Sequence, residues 1–469
     1  MSKSVKRMLF AITGIIGLFI LISIALAFFV DTGFYKNRLE RVASEALGME
    51  VRVGGKLGFA LFPGLQIRLA DVQIRNRGMD IVSVKEVSIE MAIIPLLHKE
   101  AQIKRIGLRH PTIFINRDRN GVFNFEAKGA FPVLILENIF FSDGALTYRD
   151  EQSGEGVEAG NFNLNVQSLR IAGGPELFRN LSLTAEFVCR EIRMKSFIFS
   201  DVKFTCKGKD GIFAFNPVTL RLFGGQGSGS IEVDLSHPVP SYGVRSSLSK
   251  FQIGDYLKTL SSKKVAEGSM DFSASLSMRG DTAKEIMRTA TGDVTLRGEN
   301  LTLYGKDIDG DFARYESSQN FNLVDAGALF FLGPIGLAIT KGYNFASTFQ
   351  ESGGRSSIGK LFSDWKVERG VAQAKDVAMT TKQNRIALKG KLNFVKERFE
   401  NVVVALIDDR GCARVQQKIG GPFRKPVVEK PSLLMSLAGP ALNLFKQARD
   451  LFTDGKCEAF YTGSVPAPK

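Results

Sequence analysis

The chain of 469 residues is short of the side chains on which enzymes depend near neutral pH, with three histidines, four cysteines and a single tryptophan. Histidine alone has an ordinary pKa in the physiological range, so its scarcity leaves few groups for general acid–base work. His98 has no second histidine at helical spacing, which excludes an H-E-x-x-H metal site. His110 and His237 each precede a proline and read as extended or turn positions. No C-x-x-C pair occurs and no histidine lies near a cysteine, so zinc is not expected. Gly225-Gln226-Gly227-Ser228-Gly229 only approaches a nucleophile elbow. It makes no nucleotide loop either, because no Lys-Ser/Thr pair follows it and the pattern around it is that of a hairpin. Asp408-Asp409 stands beside Arg410-Gly411 and reads as turn chemistry. No catalytic residues, metal or cofactor are therefore expected.

A concentrated basic run is missing too. The net charge is +14, from 62 Lys+Arg against 48 Asp+Glu, but the basic residues are spread along the chain, so nucleic acid is not an expected partner. Long uncharged segments are absent with one exception. Lys3, Lys6 and Arg7 precede Met8–Val30, a run interrupted only by Thr13 and Ser23, and a helix of that length crosses a hydrocarbon core of roughly 30 Å. The basic flank predicts residues 1–7 on the cytoplasmic side, an anchor over 8–30 and everything after Val30 outside. The rival reading is a signal peptide cleaved after Ala25-Leu26-Ala27, against which the apolar run continues through Phe28-Phe29-Val30. Cys189, Cys206, Cys412 and Cys457 fit an oxidising compartment. Two bridges in any of three pairings are open, Cys189–Cys206 with Cys412–Cys457 being the simplest, and four buried free thiols are the alternative.

What is present is period-two alternation and phenylalanine, of which there are 37. Tyr35–Leu47 reads as a short amphipathic helix that Gly48 can end. Beyond it Ile67, Leu69, Val72 and Ile74 alternate with polar residues, and a slip at Ala70-Asp71 marks a bulge. Val87, Ile89, Met91, Ile113 and Ile115 repeat the pattern, as do Phe162–Val166, Ile231–Leu235, Val294–Leu296, Ile386–Lys389 and Val402–Leu406. Such strands are apolar on one face and wet on the other. Short helical breaks are expected near Ile253–Leu260 and Ala283–Ala290. Asp325–Thr340 and Leu433–Phe452 read as apolar helices that pack on the sheet or touch lipid. The expected fold is mainly β: a curled, mostly antiparallel sheet in a region 31–130, a central region 131–315 and a C-terminal region 316–469 with apolar helices. An apolar face so long is either closed core or an open groove, and alternation alone does not separate the two.

Several segments resemble the AsmA family. Leu47–Gly55 followed by Phe62-Pro63-Gly64-Leu65 and Ala70-Asp71-Val72 is similar to the family's opening. Pro95-Leu96-Leu97, Arg109–Ile113 and Asp118–Phe125 continue it, and Leu222–Ser230, Gly268–Phe272, Gly292-Asp293-Val294 and Asp307-Ile308-Asp309 match its later pattern. The resemblance implies an inner-membrane anchor, a periplasmic body and a part in phospholipid transport or outer-membrane homeostasis. It also implies a groove that holds phospholipid or another acyl lipid, as in bridge-like lipid-transfer proteins. Taken with the alternation, it nominates Phe59, Leu61, Ile67, Leu69, Val72, Ile74, Val87, Ile89, Met91, Ile113 and Ile115 as groove residues. Lys104, Arg105 and Arg109, in the basic stretch Lys99–Arg119, are candidates for lipid headgroups, their other reading being solvated strand edges. The alternative function is a scaffold for outer-membrane protein assembly that docks on, or adds a strand to, its partners.

Overall fold

The computed structural model describes residues 32–60, 65–92, 102–125, 133–173, 176–260, 264–318, 354–430, 432–433 and 458–468. Met8–Val30, Leu61, Asp325–Thr340, all but the start of Leu433–Phe452 and Cys457 lie outside them. Among the described residues no helix is long and apolar enough to cross a membrane. The protein is mainly β, in a mixed sheet that does not close, with a few short helices. It divides into two units, Met1–Leu220 with Asp234–Ser236, and Arg221–Val233 with His237–Lys469.

In the first unit helix α1 (Thr32–Leu47) is ended by Gly48 at φ 65. There follow β1 (Glu50–Val53), β2 (Leu57–Ala60), β3 (Leu65–Asn76), β4 (Met79–Met91), β5 (Ile103–Arg117), β6 (Leu134–Asp150), β7 (Glu155–Ile171), β8 (Leu181–Met194), β9 (Phe197–Lys209) and β10 (Ile212–Leu222). β1 and β2 are two halves of one edge, both pairing antiparallel with β3. Arg77-Gly78 and Asp210-Gly211 are two-residue turns with both residues at positive φ, the geometry that suits a right-twisted hairpin. The strands pair in sequence order, and all pairs recorded here are antiparallel but one: β5 and β6 run parallel from Arg105↔Asn138 to Arg117↔Asp150. The chain between them turns back on β5, where the buried Asn124 donates Nδ2 to Phe114 O (2.8 Å) and accepts Asn116 N (3.1 Å).

Edge N–H groups of β1 are satisfied by the helix. Glu40 Oε1 accepts from Val53 N at 2.6 Å and Ser44 Oγ from Val51 N at 2.9 Å. A helix laid along an edge strand blocks pairing with a foreign strand there.

The second unit contains β11 (Gly225–Asp234), β12 (Ser241–Gln252), α2 (Ile253–Lys258), β13 (Ala266–Glu267), β14 (Ser269–Arg279), α3 (Ala283–Thr289), β15 (Thr291–Tyr304), α4 (Ile308–Ser318), β16 (Arg355–Glu368), β17 (Val371–Thr380), β18 (Arg385–Asn393), β19 (Arg398–Ile407), β20 (Ala413–Pro422), β21 (Val427–Val428) and β22 (Ser432–Leu433). Helices α2 and α3 fall where the sequence placed its helical breaks. From β15 to β20 the apolar face of this unit is closed core, while Leu248, Phe272 and Leu276 on β12 and β14 are half-buried beside it. Trp365, Met379, Ile386 and Val402 are fully buried, packed with Ile253 and Tyr256 of α2 and Ile308 and Phe312 of α4. β17, β18 and β19 are buried on their other face as well, where Ala378, Ala387 and Ala405 lie under Tyr461 and Val465. Alanines there leave room for the tail, and the Tyr461 hydroxyl, bonded to Asp376, accepts Val465 N at 3.0 Å.

One cysteine expectation is corrected. Cys189 and Cys206 are free, buried thiols rather than a bridge. Cys189 lies opposite Val202 and Cys206 opposite Ala185, so the two stand four residues apart along the sheet, about 13 Å, well beyond the reach of a disulfide. Cys412 is disulfide-bonded; Cys457, the partner expected for it, lies outside the described residues.

Candidate functional site: an apolar valley across the first unit

The described candidate groove residues share one face of the first unit. Register places Ile67 opposite Ile89, Leu69 opposite Val87 and Leu108, Val72 opposite Val84 and Pro111, and Ile74 opposite Val82 and Ile113. Phe59 joins from β2 opposite Ile67, Met91 ends the face on β4, and Ile115 continues it on β5 beside Tyr148. The face runs on across β6 to β9 through residues the sequence reading did not nominate, among them Phe141, Leu164, Phe187 and Phe204.

Strict alternation breaks on each strand along one shared register. On β3 the apolar face passes from Leu69 to Val72, and the same three-residue step occurs at Val84/Val87, Leu108/Pro111, Phe141/Gly144, Ala159/Phe162, Cys189/Ile192 and Phe199/Val202. At each step a polar residue turns outward. Five of these adopt left-handed backbone: Asp71 (φ 53), His110 (φ 49), Asp143 (φ 52), Asn161 (φ 54) and Asp201 (φ 51). Lys85 and Arg190 fill the row on the strands between. Aspartate and asparagine visit this conformation at least cost among residues with a side chain, and a bend there turns the strand without losing its ladder.

The consequence is visible in exposure. All seven outward residues of this row are exposed. The inner residues beside them, Val72, Val84, Pro111, Gly144, Phe162, Cys189 and Val202, are all buried. Their apolar neighbours Val87, Leu108, Phe141, Leu164, Phe187 and Phe204 on one side, and Ile113, Leu146, Ile192 and Phe199 on the other, are only half-buried. Around Phe162, Cys189 and Val202 the packed hydrophobic residues come from β5–β10 themselves. Among the described residues the burial of this line comes from side chains of the strands themselves, the packing that a sheet concave along it would give. The line is a valley floor, running across the strands with apolar walls. Over six strand spacings of about 4.8 Å it extends roughly 29 Å.

Phenylalanines pave the β6–β10 part. Ring centroids of Phe141 and Phe162 are 6.3 Å apart, Phe162 and Phe187 5.9 Å, Phe187 and Phe204 4.7 Å, and Phe204 and Phe215 5.5 Å. Gly144 is required here because a Cβ would fall 2.4 Å from the Phe162 ring. Burial pushes the Cys189 and Cys206 thiols above their ordinary pKa, so the floor offers no ready nucleophile.

Polar groups mark the valley's border. Arg117 meets Asp150 at 3.4 Å below Tyr148. Partial burial and then the charge of Asp150 raise the Tyr148 pKa. For Asp150 the burial effect is outweighed by hydrogen bonds from Gln152 and Ser153 and by Arg117, and its carboxyl is held below the usual range. Two of the headgroup candidates, Arg105 and Arg109, lie elsewhere. Arg105 stands opposite Glu90 and Arg109 opposite Glu86, with ion-pair distances of 3.5 and 3.9 Å, and both are exposed, as is Lys104. Arg105 and Arg109 alternate with Ile106 and Leu108 and therefore point to the face away from the valley.

Among the described residues no group of His, Cys, Asp and Glu is arranged to hold a metal ion. No curated protein sequence matches the chain. The profile of the AsmA family matches residues 1–190 and again 181–310. With both matches falling on the valley-bearing strands and reaching into the second unit, the chain belongs to the AsmA family.

Proposed function

We propose that the valley of the first unit shields hydrocarbon chains of phospholipid or another acyl lipid, lying across the strands, and that the protein takes part in lipid traffic without covalent chemistry. Membership of the AsmA family, which is generally non-enzymatic, points to a role in envelope and lipid homeostasis. The observation that carries the finer reading is the buried line walled by half-exposed apolar rows with no layer above it among the described residues. In the second unit, by contrast, helices α2 and α4 pack on the buried core of β15–β20. Each methylene taken from water contributes about 0.8 kcal/mol, so ten methylenes in the valley give roughly 8 kcal/mol without polar recognition.

In this reading residues 8–30 anchor the chain in the inner membrane and the described body lies in the periplasm. The scaffold alternative gains nothing from the β1 edge, where Glu40 and Ser44 already occupy the backbone donors a partner strand would use. The test is Leu164→Asp, which puts a charge on the valley wall at a half-buried position. The expected result is loss of co-purifying lipid with an unchanged circular-dichroism spectrum; a variant that folds and keeps its lipid would refute the reading.

A further inference from the structure

The two ends of the valley differ. Through the pair Val53↔Val72 the buried line continues onto β1. There Leu39 and Ala43 of α1 pack on a cluster of Val51, Val53, Leu57, Leu69, Val72 and Val84. Leu69, in the cluster on which the helix packs, is 7% exposed, whereas the wall residues in its row on β4–β9 are half-buried. At the β9 side the residues packed with the floor are, among the described residues, strand residues.

The helix is lightly held. Among the described residues its hydrogen bonds to the sheet are those from Val53 N to Glu40 and from Val51 N to Ser44, both on a strand of four residues. Its outward stripe of Arg38, Arg41, Val42 and Glu45 is exposed. None of its described side chains is fully buried, and an element held by half-buried contacts and two side-chain bonds sits at the low end of a protein's local stabilities, where opening is frequent. We infer that α1 is a movable stopper: seated, it closes the β1 end of the valley, and lipid passes that end only when the helix lifts. This rests on the acyl-chain reading and adds its control point.

The test uses the full chain with vesicles of phosphatidylethanolamine and phosphatidylglycerol carrying a trace of pyrene-labelled phosphatidylethanolamine. Glu40→Ala with Ser44→Ala removes both bonds, and Leu39→Ser is added if hydrogen exchange at residues 39–47 shows the helix still seated. Val42→Ser, on the exposed stripe, is the control. The expected result is loading several-fold faster than the parent at the same final stoichiometry, with the control unchanged. A released helix with the parent's loading rate would overturn the inference while leaving the acyl-chain reading intact. Reduced final stoichiometry would overturn it too, making the helix a wall rather than a stopper. Absence of loading by the parent would defeat the acyl-chain reading, and this inference with it.

Discussion

Asp143 and Asn161 sit on adjacent strands at the middle of the outward row, both with left-handed backbone. Valine at either position forces a β-branched side chain into a conformation that costs an ordinary residue roughly 1–2 kcal/mol. The double substitution Asp143→Val with Asn161→Val is then worth about 2–4 kcal/mol, with some coupling because the strands are neighbours. That is a large share of a typical total of roughly 5–15 kcal/mol. At a urea slope near 2 kcal/mol/M the midpoint of the far-ultraviolet transition should fall by about 1–2 M. Glycine at the same two positions keeps the bend and should cost less than about 0.5 kcal/mol, since it adopts positive φ without penalty. The folded valine variant should also carry less lipid than the glycine variant, because straightening the strands opens the valley. If glycine proves as costly as valine, the side chains rather than the bend hold the sheet, and the argument for a backbone crease fails.

Phe162→Ala removes the ring over Gly144 and should destabilise by about 3–5 kcal/mol, read by urea denaturation. The thiols of Cys189 and Cys206 should resist a thiol reagent at pH 8 until denaturant is added, since burial both raises their pKa and denies access; rapid reaction of the native protein would contradict the floor assignment. Asp150 has a depressed folded-state pKa, so its contribution is present above the ordinary carboxylate pKa and lost as pH falls through the folded value. The stability gap between the parent and Asp150→Asn should accordingly narrow on acidification below about pH 4, and a gap independent of pH would refute the assignment.

Much of the fold was readable because a one-faced strand writes its burial into period two. The helix before β1, the bulge at Ala70-Asp71 and the turn at Asp210-Gly211 all leave local signatures, and the structure has Asp71 at φ 53. The parallel pairing of β5 with β6 left none, because register between strands separated by a long connection is a tertiary property. The valley was half legible. Ile67, Leu69, Val87 and Ile113 follow from alternation, but the floor residues Gly144 and Cys189 are a glycine and a thiol that no apolar pattern singles out. The available signal was the three-residue step repeated in strand after strand, which gains meaning only when register aligns the steps into one row. The headgroup expectation for Arg105 and Arg109 came from charge clustering in sequence, which does not reveal that Glu90 and Glu86 stand opposite them. Free Cys189 and Cys206 show the same limit, since even counting says nothing of a four-residue offset along a sheet.

The most direct test of the valley as a lipid site is native mass spectrometry of residues 33–469, produced in a bacterial envelope and purified without detergent. Discrete added masses that extract as phospholipid, and that disappear in Leu164→Asp, are what the account predicts. A folded protein at its bare polypeptide mass would contradict it and return the apolar face of the first unit to ordinary core.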